Sequence, residues 1–148
     1  MREIKLKISE SDNGRQIRDI LKQFGVSSAL LTRLKKTKNG ITKNGEFVKS
    51  IDSAYTGDII SIKIESHGKA STPTKGDIDI SYEDEDIIVV NKPPMMPVHE
   101  SRNHRGDTLS NLVAYHTGEY NAFRAVYRLD RDTSGLVLIA KHELSASK

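Results

Sequence analysis

The sequence predicts an α+β chain in two pieces: a small αβ module over residues 1–65 and a second, sheet-based region over 78–148. Three observations carry that expectation. The first 65 residues hold two apolar stripes at helical spacing, followed by short alternating strands. Residues 66–77, Ser-His-Gly-Lys-Ala-Ser-Thr-Pro-Thr-Lys-Gly-Asp, lack apolar periodicity and read as a linker. From Ile78 onward strand patterns return, with one helical segment among them.

Taken in order, Ile4, Leu6 and Ile8 alternate with charged neighbours, so residues 2–8 read as a half-buried strand. Gly14 to Phe24 places Ile17, Ile20, Leu21 and Phe24 at helical spacing, and Gly25 marks the stop. Ser27 suits the N-cap of a second helix, whose apolar stripe is Ala29, Leu30, Leu31 and Leu34. That helix runs into a lysine-rich stretch and is expected to end near Asn39-Gly40. Ile41 opens a strand, Lys43-Asn44-Gly45-Glu46 is a tight hairpin turn, and Phe47 and Val48 return. After a turn at Gly57-Asp58, the residues Ile59, Ile60, Ile62 and Ile64 form a strong strand.

In the second region Ile78, Ile80 and Tyr82 alternate as one strand. The acidic run Glu83-Asp84-Glu85-Asp86 reads as an exposed turn. Ile87 to Val90 is continuously apolar, which predicts a central strand buried on both faces. It stops at Asn91-Lys92-Pro93-Pro94, where proline forbids further ladder bonding. Thr108 to Tyr115 predicts a short helix with Leu109, Leu112 and Val113 inward. Ala125–Tyr127 and Leu136–Ala140 are strand-like and flank a charged turn, Arg128 to Gly135.

The 148 residues suffice for one ordinary domain, or for a small module plus part of another. No apolar run approaches a membrane span, and the start, Met1-Arg2-Glu3-Ile4-Lys5, has no signal-peptide core. The absence of cysteine excludes disulfides and thiolate metal sites and suits a cytoplasmic protein. Net charge is +3, yet Arg33, Lys35, Lys36, Lys38, Lys43 and Lys49 face only Glu46 over their stretch. Such a cluster is either a footprint for phosphate backbones or a solvated face.

The turn Arg128-Leu129-Asp130-Arg131-Asp132-Thr133-Ser134-Gly135 packs two carboxylates and two guanidiniums between apolar segments. Fixed positive charge keeps an aspartate ionised, and such an aspartate can act as nucleophile or base on a polyanionic ligand. Asp132, Thr133 and Ser134 are good turn chemistry and read as structural. Arg128 either contacts a phosphate or bridges to Asp132. Lys92 either contacts a phosphate backbone or caps a strand. His99 and His104 lie in a polar loop without a carboxylate at a diagnostic spacing, so neither is assigned a catalytic role.

This turn, Arg128 to Gly135, closely resembles the signature of the RluA-type pseudouridine synthases, His-Arg-Leu-Asp-Arg-Asp-Thr-Ser-Gly, with Tyr127 where histidine is common. Val90-Asn91-Lys92-Pro93-Pro94, followed by Pro97-Val98-His99, matches that family's first motif, with Met95 where glycine is usual. Asp107-Thr108-Leu109 with Leu112 matches the helix after it. Residues 1–65 resemble an S4 RNA-binding domain in Ser27, the apolar stripe, the basic turn, Asn44-Gly45 and Gly57-Asp58. They depart from it at Gln16-Ile17-Arg18 and at Ser28.

The resemblance implies an S4-like αβ RNA-binding module followed by the N-terminal part of a mixed-sheet pseudouridine synthase catalytic domain. It implies isomerisation of uridine to pseudouridine in structured RNA, with large-subunit ribosomal RNA the leading substrate. Asp130 would be the catalytic residue, and Arg128 and Arg131 would bind substrate. Arg33, Lys35, Lys36, Lys38, Lys43 and Lys92 would contact RNA. No cofactor and no metal are expected. Family catalytic domains continue past the signature, supplying a tyrosine against the base and a basic partner for the aspartate. The chain is therefore expected to be a fragment, inactive alone and prone to self-association. The alternative is a non-catalytic S4-type RNA-binding module with a remnant of the synthase domain.

Overall fold

The computed structural model describes residues 1–65, 68–118 and 122–148. The chain divides into two compact units, Met1–Glu65 with Ser147–Lys148, and Ser66–Ala146.

In the first unit β1 (Arg2–Lys7), β2 (Ile41–Lys43), β3 (Glu46–Phe47) and β4 (Ile59–Ile64) form a sheet in the order β1-β4-β2-β3. All its ladders are antiparallel. Two helices join it, α1 (Ile17–Phe24) and α2 (Ser28–Lys36). The apolar stripes supply the core: Ile17, Leu21, Leu30 and Leu34 are buried with Ile60, Ile62 and Ile64 of β4. The Ser27 hydroxyl accepts the Leu30 N–H at 3.1 Å and caps α2. This helix ends at Lys36, short of Asn39-Gly40, because Thr37 is already extended and Asn39 has φ 53°. The hairpin turn between β2 and β3 puts both Asn44 (φ 52°) and Gly45 (φ 86°) in the left-handed region, as a two-residue type I′ turn requires. Asn44 also accepts the Ile59 N–H and donates to Asp58, both at 2.9 Å, joining the two turns.

In the second unit β5 (Ile80–Glu83), β6 (Ile87–Lys92), β7 (Arg124–Ala125) and β8 (Gly135–Ala140) stand in the order β5-β6-β8-β7. Every ladder among the described residues is antiparallel, where a mixed sheet was expected. Helix α3 (Leu109–Thr117) supplies Leu109 and Val113 to a core completed by Ile88, Val90, Val137 and Ile139. A short helix the sequence did not suggest, α4 (Glu143–Ala146), follows β8 and buries Leu144.

Strand β6 is interior by hydrogen bonding but is not buried on both faces. Ile88, Val90 and Lys92 face the core, while Val89 is half-buried and Asn91 exposed; Leu136, the ladder partner of Asn91, is 51% exposed. Tyr82 also differs from expectation. Ile80 pairs with Val90 but Tyr82 pairs with Val89, leaving Ser81 as a bulge. The extra residue turns Tyr82 to the face opposite Ile80, where it is 53% exposed.

Of the stretch expected as a linker, residues 66 and 67 lie outside the described residues. Residues 71–77 carry no helix or strand, yet Thr74 N–H donates to Asn111 O at 3.1 Å and Ser71 is buried. No described helix is long and apolar enough to cross a membrane.

Candidate active site

The charged turn lies between β7 and β8, and its base is closed by hydrogen bonds. Tyr127 Oη donates to Leu136 O at 2.7 Å, and Val126 N–H donates to Leu138 O at 2.9 Å. At the tip Thr133 N–H donates to Asp130 O at 3.1 Å, closing a four-residue turn. Leu129 points inward and packs on the core. Arg128, Asp130, Arg131, Asp132, Thr133 and Ser134 are exposed. One apolar residue thus anchors a turn whose polar side chains all reach solvent. Gly135 starts β8 at φ 145°, a conformation that side-chain-bearing residues rarely adopt, and a Cβ there would lie 3.5 Å from Leu129.

Lys92 braces the turn from inside. It ends β6, pairs with Gly135, and is 0% exposed. Its ammonium donates to Pro93 O at 3.0 Å and Arg131 O at 3.1 Å. Burial pushes its pKa down, and the Asp132 carboxylate opposes that shift. Lys92, expected to contact RNA, is instead buried with its charged head engaged by main-chain carbonyls. It fixes the backbone one residue beyond Asp130.

The loop 99–107 comes alongside the same turn. Burial lowers the pKa of His99, and nearby Arg128 lowers it further. The His99 ring stands edge-on to Phe123, with centroids 5.1 Å apart. His104 Nδ1 lies 2.8 Å from Asp107 Oδ2. That bond is the main cause that lowers the Asp107 pKa, and Arg131 adds to it. The carboxylate partner of His104, not assigned from sequence, was three residues away; that spacing was the overlooked signal. Arg128 makes no ion pair with Asp132 among the described residues.

Asn111, fully buried at the start of α3, holds the loop in place. Its Oδ1 accepts the N–H groups of Gly106 at 3.1 Å and Thr108 at 3.0 Å. Its Nδ2 donates to Thr72 O at 2.8 Å and Glu100 Oε1 at 2.6 Å. Lys92 and Ser134 also line a cavity of about 430 Å³, whose apolar wall includes Val90, Pro93, Met96 and Leu109.

The remaining expected contacts lie in the first unit. Lys35, Lys36 and Lys38 are exposed, while Arg33 and Lys43 are half-buried. The Lys43 ammonium donates to Ser53 O at 3.2 Å and sits 5.9 Å from the Tyr55 ring centroid.

Chemically, the turn offers a solvent-facing carboxylate in a sequence with a guanidinium on each side, on a braced main chain. That arrangement suits a nucleophile or a base acting on an anionic ligand.

The family model described as RNA pseudouridylate synthase matches residues 86–148. The uncharacterized RNA pseudouridine synthase YhcT of Bacillus subtilis is 32% identical over 97% of this chain and 49% of its own length. The ribosomal large subunit pseudouridine synthase D of Pseudomonas aeruginosa is 33% identical over 68% of this chain and 33% of its own. Among solved structures, human RNA Pseudouridylate Synthase Domain Containing 1 aligns with a TM-score of 0.39 at 27% identity, over 47% of this chain and 24% of that one. The chain spans about half the length of the first of these relatives, YhcT.

Proposed function

We propose that this chain belongs to an RNA pseudouridine synthase of the RluA type, with Asp130 as its catalytic residue. The observation that carries the reading is the turn itself: Arg128 to Gly135 stands in the stretch that matches the family model, and it presents Asp130 to solvent on a backbone braced by Lys92. The substrate is uridine within RNA, and the relative named for the ribosomal large subunit favours ribosomal RNA. The target uridine leaves its stack to expose the glycosidic bond. Asp130 then acts at the ribose as nucleophile or base while the uracil detaches, rotates and rejoins through carbon. Arg128 and Arg131 flank that carboxylate and suit contacts to the phosphates on either side of the flipped nucleotide. Residues 1–65 act as an S4-like RNA-binding module, with Arg33, Lys35, Lys36 and Lys38 as its phosphate contacts.

The test is mass-spectrometric mapping of pseudouridine in ribosomal and transfer RNA from cells with and without the gene, with Asp130→Asn as the variant. The expected outcome is the loss of one or more pseudouridines in both the deletion and the variant, with RNA binding nearly intact in the variant. RNA binding with an unchanged pseudouridine map would establish instead a non-catalytic binding module.

A further inference from the structure

The sheet of the first unit has a second face, turned away from the core. A row of successive ladder partners crosses all four strands there: Phe47, Thr42, Ser61 and Lys5. Phe47 is 62% exposed, whereas Thr42 and Ser61, at 7% each, form a low floor between it and Lys5. Their hydroxyls make no hydrogen bond among the described residues. Lys7 and Lys63 stand two residues along from Lys5 and Ser61 and share that face, while the one acid among its paired residues is Glu3. The ammonium groups of Lys5, Lys7 and Lys63 have no partner among the described residues.

Lysines on edge strands commonly serve to prevent sheet-to-sheet pairing. That role does not account for this face, because Lys63 lies on the interior strand β4 and the edge strand β3 displays an aromatic ring. An exposed aromatic and unpaired cations on one face, spaced along it, form a combination that binds single-stranded nucleic acid: the ring takes a base and the cations take phosphates. With strands about 4.8 Å apart, Phe47 and Lys5 stand roughly 14 Å from each other, with polar floor between them.

We propose that this outer sheet face is a second RNA surface, separate from the basic end of α2, which takes an unpaired RNA segment with one base stacked on Phe47 and phosphates on Lys5, Lys7 and Lys63. RNA as the occupant rests on the proposed function; the preference for unpaired RNA rests on the exposed ring, because a duplex keeps its bases stacked on one another.

The experiment measures binding of the 148-residue chain to a fluorescein-labelled oligouridine of roughly 12 nucleotides and to an RNA duplex of the same length. Phe47→Ala is expected to weaken oligouridine binding roughly 5- to 150-fold, the equivalent of one lost base stack, and to leave duplex binding unchanged. Replacing Lys5, Lys7 and Lys63 together by Gln should reduce the log–log salt slope by roughly 2. The chain has no tryptophan, so Phe47→Trp installs a single reporter. It should retain binding, and its fluorescence should be quenched by oligouridine. No quenching, equal losses on oligouridine and duplex, or binding only to phosphatidylserine vesicles would overturn the surface. Loss of RNA binding confined to a Lys35, Lys36 and Lys38 triple variant would overturn it too, yet leave the synthase reading in place. An unchanged pseudouridine map alongside quenching at residue 47 would remove the synthase reading and keep the surface.

Discussion

At the scale of single residues, the proposed function assigns the chemistry of the turn to Asp130, while its hydrogen bonds assign Lys92 to support. Asp132→Asn is expected to leave more activity than Asp130→Asn, since Asp132 acts on the turn and on the buried Lys92 ammonium; equal losses in single-turnover assays would contradict that division. Lys92→Met keeps an apolar stem of similar length but strips two carbonyls of their donor. We expect a cost of about 1–3 kcal/mol in chemical denaturation, with faster amide exchange at Thr133. An unaltered denaturation midpoint would show that Lys92 does not brace the turn. The charged turn that carries Asp130 was legible in the sequence because its residues form a long, largely polar run between two apolar segments. Lys92 was not, because a lysine stem can run to solvent or inward, and only the packing of β6 against the turn decides which. His104 with Asp107 lay between these cases: the spacing was visible, but nothing in the sequence said that the loop would fold back on itself.

At the scale of elements, the acidic hairpin between β5 and β6 is a tied structure and more than an exposed turn. Asp84 Oδ1 accepts the N–H groups of Asp86 and Ile87 at 2.8 Å each, which shapes the reversal. Glu83 receives Lys141 Nζ at 2.7 Å and His116 Nε2 at 2.9 Å, linking β5 to α3 and to the end of β8. The bond from Lys141, then that from His116, holds the Glu83 carboxyl below its ordinary pKa. A carboxylate lowered by folding contributes stability above its unfolded value, about 4.3, and loses it as pH falls through the folded value. Glu83→Gln should therefore reduce the stability lost on acidification below the unfolded value, as measured by thermal melts across that range. An identical pH profile in the variant would refute the tie. Caps and hairpins were readable in advance, as Ser27 and Asn44-Gly45 show, because their signals are local. The Ser81 bulge was hidden because a period-two pattern assumes an unbroken register.

At the scale of the whole molecule, each unit carries its own core. Ile62 is fully buried in the first, and Val90 is 1% exposed in the second. Ile62→Ala should cost about 2–5 kcal/mol and accelerate exchange throughout residues 1–65. Protection in the second unit should stay as it was; a matching loss there would show that the two cores melt as one. The two-part organisation was legible from the break in apolar periodicity after Ile64. That residues 71–77 are held by hydrogen bonds was not, since the partner that holds them, Asn111 through its main chain and its side-chain amide, is almost forty positions away.

That partner, Asn111, has a consequence in time. The amide of Thr74 comes from one stretch of chain and those of Gly106 and Thr108 from another, yet all three donate to Asn111, the first to its main-chain oxygen and the other two to Oδ1. A fluctuation that frees this one residue releases all three at once, so their hydrogens should exchange with deuterium on a single shared clock. Asn111→Asp keeps Oδ1 and the main-chain oxygen but loses the side-chain donor that tethers Thr72, so Thr74, two residues along from that tether, should fall out of step with the other two. If the three amides already tick at unrelated rates in the unaltered protein, the junction is a meeting place and not a lock.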